Sequence, residues 1–503
     1  MKILLILPRI KPQGEIPKYN YTFPLGFGYI SAVIKKAGYN VDCLNLNHEE
    51  GSIKEILQKN IKKEKYDVIA TGNIWFGYLS TKEIIETIKI YSPNSKIILG
   101  GALMTSNPKL IMENIKPTFG IIGEGEITIL ELLNCIEKNY NLKKIKGIIY
   151  IDKKGIIKIT EKRELIKDLD SLPYPDFDSF GFEKYLSEMY PNQHYANNLN
   201  DYPRTYSILM SRGCPFNCSF CYHSLGGYRE RTINNIIKEI KWAIKKYNIN
   251  IINILDDSFG IKKERIYEFC NEIKKLNIKW TCQMVVNCVN KEILKKMKDA
   301  GCHIISYGFE SYNQNILNSM RKPITPEKIN FAFKNTLKVG ISVQGNFLFG
   351  DIAETNETSK ETLNYWKKNC LGQLNLSFIQ PYPGSEIYNY CLKKGIIKDE
   401  IEYIKKASTQ EIFINMTNKM NNDEINNLII KILNIKKSGY YKVSIPKNIK
   451  PMNKKNRWEI EIDCPFCKKT SIYKNYYLIP ETFYKDFIIC RECNMRYNIL
   501  RPI

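Results

Sequence analysis

No run of this chain is apolar for the length a bilayer crossing needs, so a membrane-spanning protein is not expected. The opening segment, Met1-Lys2-Ile3-Leu4-Leu5-Ile6-Leu7-Pro8, is too short and too soon broken by proline for a secretory signal, and the expected compartment is the cytoplasm. Acidic residues are in short supply, 52 against 75 basic ones, which leaves a formal charge of +23. That excess is lysine scattered through Ile- and Asn-rich sequence, not a basic stripe, so nucleic acid is not an expected partner. A disulfide framework is also missing. The 15 cysteines are odd in number and several fall in close groups, which points to metal chemistry in a reducing compartment. What is present suits a folded enzyme: 12% aromatic residues, far from disordered composition, in 503 residues, too many for one core.

Over residues 1–150, apolar runs at 2–8, 40–46, 66–70, 96–99 and 119–122 alternate with helical patterns, the first running from 24 towards 36 and closing at Gly38. This predicts an α/β domain with a parallel, Rossmann-like sheet. Most of its strands end in glycine-bearing loops: Thr71-Gly72-Asn73, Gly100-Gly101-Ala102 and Gly123-Glu124-Gly125-Glu126. Open α/β sheets bind ligands at those carboxyl ends, where glycine lets a flat group approach the backbone. No G-x-G-x-x-G follows the first strand, so a dinucleotide is disfavoured and a broader ligand expected.

A strand at 205–210 runs into Ser211-Arg212-Gly213-Cys214-Pro215-Phe216-Asn217-Cys218-Ser219-Phe220-Cys221-Tyr222. Three thiolates in this C-x3-C-x2-C loop can ligate three irons of a [4Fe–4S] cube, leaving the fourth iron open to an exogenous ligand. Zinc would want a fourth ligand, and His223 is badly spaced for it. Strand–helix units follow, with a helix at 233–247 and strands at 251–255, 303–308, 342–348 and 375–379. Asp256-Asp257-Ser258-Phe259 and Gly308-Phe309-Glu310-Ser311 end two of them, at the edge where barrels carry their chemistry.

These motifs carry a resemblance. Pro24-Leu25-Gly26-Phe27-Gly28-Tyr29, the Gly100-Gly101 turn and Gly123–Glu126 are similar to the cobalamin-binding domain that precedes the radical S-adenosylmethionine (SAM) domain in one large family. The three-cysteine loop with its following aromatic resembles that family's cluster motif. Gly345-Asn346-Phe347-Leu348-Phe349-Gly350-Asp351, Glu354-Thr355 and Pro381-Tyr382-Pro383-Gly384-Ser385-Glu386-Ile387-Tyr388 resemble its last two barrel strands and the turn beyond. The likeness spans about three quarters of the chain.

The resemblance implies a cobalamin-binding domain over 1–150, a linker over 151–200 and a partial (β/α)6 radical SAM barrel over 201–395. Cys214, Cys218 and Cys221 would hold the [4Fe–4S] cluster, with SAM on its open iron cleaved to a 5′-deoxyadenosyl radical. Asp256 or Asp257 would accept hydrogen bonds from the amino group of SAM, unless Asp257 and Ser258 serve as helix caps; Glu310 would lie near its polar groups and, if buried, needs a cationic partner. Thr71, Gly72, Gly100, Gly101, Gly123, Glu124, Gly125 and Glu126 would meet cobalamin. His48-Glu49-Glu50-Gly51 only superficially matches the axial-ligand loop D-x-H-x-x-G, because Leu46 replaces the aspartate and the loop follows the second strand. An exposed loop histidine is expected, with cobalamin bound without it. Many relatives carry an arginine in the strand before Asn287, where this chain reads Gln283-Met284-Val285-Val286.

Beyond the barrel, a helical segment over 396–446, with its helical pattern from 400 to 438, leads through a basic linker at 447–457 to a small domain over 455–503. There Cys464-Pro465-Phe466-Cys467 and Cys490-Arg491-Glu492-Cys493 have the spacing of a zinc ribbon, which can staple a domain too small for its own core. A rubredoxin-like iron or an auxiliary cluster would use the same ligands. Cys270, Cys282 and Cys302 read as core residues. A transfer-RNA methylthiotransferase is disfavoured, since residues 1–150 contain only Cys43 and Cys135, too few for a second cluster. The expectation is a cobalamin-dependent radical SAM methyltransferase acting on an unactivated carbon of a small molecule or biosynthetic intermediate, with a reducing donor such as a flavodoxin or ferredoxin. The alternatives are a cyclase or rearrangement enzyme on the same scaffold, and a cobalamin-sensing nucleic-acid binder.

Overall fold

The computed structural model describes residues 1–9, 21–188, 199–222, 226–409, 413–437, 442–454, 456–477 and 487–500. His223 and Ser438 lie outside the described residues. The chain divides into two units, one of Met1–Tyr185, Phe220–Arg229 and Pro381–Ile414, the other of Leu186–Ser219, Glu230–Gln380 and Asn415–Ile503.

The first unit is built on a seven-stranded sheet: β1 (Lys2–Leu7), β2 (Asn40–Asn45), β3 (Val68–Gly72), β4 (Lys96–Gly100), β5 (Phe119–Ile121), β6 (Ile148–Ile151) and β7 (Ile157–Ile159), in the order β2-β1-β3-β4-β5-β6-β7. Residues 3–7 of β1 are all buried, as a central parallel strand covered on both faces requires. The first five strands are parallel and the last two antiparallel. The order reverses between β1 and β3, so the crevice where such sheets take ligands opens beside Gly72.

The sheet does not end at 150, and 151–200 is not a surface linker throughout. It supplies β7 and then Phe177, Phe180 and Phe182, all buried. Phe23 packs on Phe177 and Phe182 at 5.0 Å between ring centroids and on Tyr185 at 5.3 Å. Apolar burial outweighs the turn-forming composition that suggested a linker. The glycine of the Pro24–Tyr29 motif has its reason here: a Cβ on Gly28 would stand 2.7 Å from both Phe177 and Pro175.

The second unit holds six parallel strands in consecutive order: β8 (Thr205–Ile208), β9 (Ile251–Ile254), β10 (Lys279–Gln283), β11 (Cys302–Glu310), β12 (Ser342–Phe349) and β13 (Leu374–Phe378). This is the open (β/α)6 arrangement, with β8 and β13 as its two edges. The helix Ile233–Tyr247 falls where its periodicity placed it, with Thr232 as its cap. Cys270, Cys282 and Cys302 are core residues.

The helical stretch expected over 400–438 holds two helices, Glu400–Ser408 and Asn422–Lys437. Side chains compete with the backbone between them. Asn415 accepts from the N–H and hydroxyl of Thr417, and Asn421 and Glu424 each accept the other's backbone N–H, starting a new helix. The basic stretch expected as a linker carries β14 (Asn448–Pro451), which pairs with β15 (Arg457–Asp463), itself paired with β16 (Thr470–Tyr477); β17 (Phe487–Ile489) and β18 (Arg496–Ile499) form a second antiparallel pair.

Candidate functional site

At the carboxyl ends of β3 and β4 the backbone is drawn together around Asn73. Its N–H donates to Gly100 O at 3.4 Å, its carbonyl accepts from Leu103 N at 2.9 Å, and its amide donates to Thr81 Oγ1 at 3.2 Å. A Cβ on Gly101, whose φ is +83°, would lie 2.6 Å from Asn73 O. Gly101 is therefore glycine for conformation and for closeness at once. Gly100 and Gly123 differ: a Cβ there would meet nothing within 4 Å, so these two glycines face open space. Bare backbone at the carboxyl ends of β4 and β5 fits a broad, flat ligand such as cobalamin.

The other loop candidates divide. Thr71 donates its hydroxyl to Ile6 O at 2.9 Å and serves the sheet. Gly125 packs against Ile30, where a Cβ would stand 3.0 Å from Cδ1. Glu124 is buried and accepts from Arg229 Nη1 on both oxygens, at 3.0 and 2.9 Å, and from Ile166 N at 2.8 Å. Glu126 is buried at the start of helix Glu126–Lys138. Asn73 lies in the Thr71–Asn73 loop that the sequence marked, but no local pattern pointed to Arg229, whose contact with Glu124 joins residues 105 positions apart.

His48 is not an exposed loop residue. It is buried, with Nε2 2.8 Å from Tyr21 Oη and 3.3 Å from Asn45 Nδ2. Asn45 also donates to Phe180 O at 2.9 Å, and a Cβ on Gly181 would come within 2.8 Å of His48 Nδ1. The segment taken for a linker is what covers this ring.

The three-cysteine loop is shared between the units, with Cys214 and Cys218 in the second and Cys221 in the first. In the second unit the root of the loop is pinned from several elements. Buried Asp256 accepts from Met210 N at 2.7 Å and Ser211 Oγ at 2.6 Å; Arg231 N and Arg265 Nη2 donate to Met210 O at 3.0 and 3.1 Å. Burial pushes the Asp256 carboxyl up to about 6, against the pull of these donors. Asp257 is exposed, and Ser258 Oγ lies 3.3 Å from Cys214 Sγ.

Cys218 is buried beside an ion pair, Lys322 Nζ to Glu310 Oε1 at 2.8 Å. Burial raises its thiol pKa while the Lys322 ammonium opposes the rise. Glu310 thus has its cationic partner, and it stands at a strand irregularity with φ +59°, a left-handed conformation unusual for a side chain of this kind. The next residue, Ser219, donates its N–H to Met320 O at 3.0 Å. In the first unit, Tyr222 lies against Gly384, where a Cβ would stand 2.7 Å from its ring, and burial pushes its hydroxyl up to about 12.

The C-terminal cysteines are brought together. The ligand atoms of Cys464, Cys467, Cys490 and Cys493 all lie within 4.8 Å of one another, with Cys464 Sγ 3.6 Å from Cys493 Sγ and Cys467 Sγ 3.7 Å from Cys490 Sγ. A tetrahedron with zinc–sulfur bonds of about 2.3 Å has edges of about 3.8 Å. Both knuckles share one geometry: Lys468 N donates to Cys464 O and Asn494 N to Cys490 O, each with a left-handed residue after the second cysteine. Four convergent sulfurs on two matching turns fit a tetrathiolate metal.

A parallel sheet with bare backbone at its carboxyl-end loops, and an open six-stranded parallel sheet with a three-cysteine loop after its first strand, define a ligand-binding α/β domain joined to a partial barrel suited to a cluster. The B12 binding domain family matches residues 18–133 and the Radical SAM superfamily residues 208–365. The chain thus carries a B12-binding domain followed by a radical SAM domain, and is an enzyme. It is similar to an uncharacterized methyltransferase of Pyrococcus horikoshii, with 29% identity over 404 residues, 79% of this chain and 84% of that one. An anaerobic magnesium-protoporphyrin IX monomethyl ester cyclase of Cereibacter sphaeroides is 25% identical over 424 residues, 80% of this chain and 64% of that one. The fold is similar to the radical SAM methyltransferase TsrM of Kitasatospora setae, solved with cobalamin and a [4Fe–4S] cluster bound, at a TM-score of 0.64 and 16% identity over 79% of this chain and 78% of that one. Among the described residues no helix is long and apolar enough to cross a membrane.

Proposed function

We propose that this chain is a cobalamin-dependent radical SAM methyltransferase that methylates an unactivated carbon of a small molecule. The observation that carries the reading is the pairing, in one chain, of a parallel sheet whose carboxyl-end loops leave Gly100 and Gly123 facing open space with a partial barrel whose first strand ends in C-x3-C-x2-C. When bound, cobalamin supplies a methyl carrier and the cluster supplies the electron that splits SAM.

The chain's own residues hold and orient these groups. Cys214, Cys218 and Cys221 ligate the cluster. Asp256 fixes the loop root through Met210 and Ser211, and exposed Asp257 accepts from the amino group of SAM. Glu310, held by Lys322, presents its carboxylate to the polar groups of SAM. Gly72, Gly100, Gly101 and Gly123 let cobalamin lie against the backbone, while Glu124 with Arg229 keeps the last loop in place. His48 takes no part, because its ring is engaged with Tyr21 and Asn45. Cys464, Cys467, Cys490 and Cys493 hold zinc. A flavodoxin or ferredoxin of the cytoplasm supplies the reducing electron.

Each turnover consumes two SAM molecules, one as methyl donor and one as radical source. With substrate and SAM deuterated in its methyl group, labelled product should form together with S-adenosylhomocysteine and 5′-deoxyadenosine. The likeness to the cyclase favours a second reading, ring closure or rearrangement, on which unlabelled product would form with 5′-deoxyadenosine alone.

A further inference from the structure

The open barrel has two free edges, β8 and β13, and the C-terminal ribbon touches the approach to both. Asp201, four residues ahead of β8, accepts from Arg491 Nη2 at 2.6 Å and from Lys474 N at 2.9 Å, and its carbonyl accepts from Asn475 Nδ2 at 3.1 Å. On the other side Asn494 Nδ2 donates to Gly340 O at 2.7 Å, just before β12. Arg496 Nε donates to Gly372 O at 2.9 Å, just before β13. Gln373, fully buried, donates back to Arg496 O at 2.8 Å and accepts from Ser342 Oγ at 3.2 Å.

Every one of these anchors enters a strand at its amino end, opposite the edge that carries the cluster loop. The two sides meet in one turn. Arg491 lies between Cys490 and Cys493, while Asn494 and Arg496 follow directly, so the second knuckle reaches both edges of the sheet. Asn494 has φ +57°, the conformation the knuckle needs after its second cysteine, and that conformation accompanies its amide's bond to Gly340.

We propose that the tetrathiolate centre is a clasp: metal on Cys464, Cys467, Cys490 and Cys493 fixes the knuckle that ties the two free edges of the partial barrel together at its amino-terminal mouth. Edge strands present unpaired backbone and open more readily than central ones. A knuckle made rigid by four metal–sulfur bonds holds Asp201, Gly340 and Gly372 at set separations, and with them the span of the sheet from β8 to β13. The inference rests on reading the tetrad as a metal site, and concerns a part of the chain that neither matching family covers.

The test is hydrogen–deuterium exchange on the full-length protein, with zinc counted by elemental analysis. Chelation of zinc should speed exchange about tenfold or more in residues 202–208 and in 340–343 with 373–376, while 251–254 and 279–283 stay as they were. Asp201→Ala should keep its zinc and loosen only the β8 side. Asn494→Gly, which preserves the turn, should keep its zinc and loosen only the approach to β12. Protein that binds no metal at the tetrad overturns the reading of the site. Zinc loss that leaves both edges unchanged, or that speeds all six strands alike, overturns the clasp while leaving the metal site standing.

Discussion

Burial decides what single residues do here, and His48 shows it. Its ring reaches Tyr21 and Asn45 inside the first unit, so its loss should be felt by the fold and not by a bound cofactor. His48→Ala should leave the visible spectrum of bound cobalamin unchanged and lower unfolding stability by about 1–3 kcal/mol, the cost of a buried polar group left without its partner. A shifted spectrum would make His48 a ligand after all. Glu354 gives a pH dependence. Burial raises its carboxyl from 4.5 to about 7, against the hydroxyl of Thr358 and the N–H of Gly350. The folded protein therefore binds this proton more tightly than the unfolded chain, so the stability it contributes is full below pH 4.5 and is lost as pH rises through 7. Urea unfolding should find Glu354→Gln flatter than the parent between pH 5 and 8, by up to about 3 kcal/mol. Parallel profiles would mean that folding does not raise this carboxyl above its ordinary value.

Elements that repeat a period could be read from sequence, and those made by distant contacts could not. The barrel strands and the helix Ile233–Tyr247 are apolar runs and stripes of adequate length, and they fall close to their expected places. The convergence of the four C-terminal cysteines was legible because two C-x2-C spacings bring their own sulfurs together. By contrast, 175–182 looks like a linker because Pro, Asp and Ser punctuate it, and only the partners Phe23, Gly28 and His48 reveal it as core. Likewise Asp256 and Asp257 are neighbours in sequence, yet strand geometry buries one under Met210 and Ser211 and exposes the other. Gly28 tests this packing directly. Alanine there would gain about 1 kcal/mol in helix propensity, but its Cβ would press on a proline and a phenylalanine ring at 2.7 Å, and overpacking a rigid contact costs about 1–3 kcal/mol. Gly28→Ala should therefore lower the thermal midpoint of the first unit. An unchanged or higher midpoint would show that 175–177 yields freely.

At the scale of the whole molecule, three cofactor regions are built from different kinds of feature, and each should fail by itself. On the proposed function, bare backbone would serve cobalamin, a three-thiolate loop the cluster, and paired knuckles zinc. Gly101→Val places a branched side chain at φ +83°, with its Cβ 2.6 Å from Asn73 O, so the loops after β3 and β4 must move apart. Cys218→Ala would remove one of the proposed iron ligands. Gly101→Val should lose cobalamin absorbance yet keep its iron, its zinc and reductant-dependent SAM cleavage, releasing 5′-deoxyadenosine without labelled product. Cys218→Ala should lose iron and cleavage while still binding cobalamin and zinc. The pair of variants separates the radical from the methyl group. If Gly101→Val lost iron together with cobalamin, the two regions would have to be treated as one cooperative site, and the division of labour proposed for the two SAM molecules would lose its structural basis.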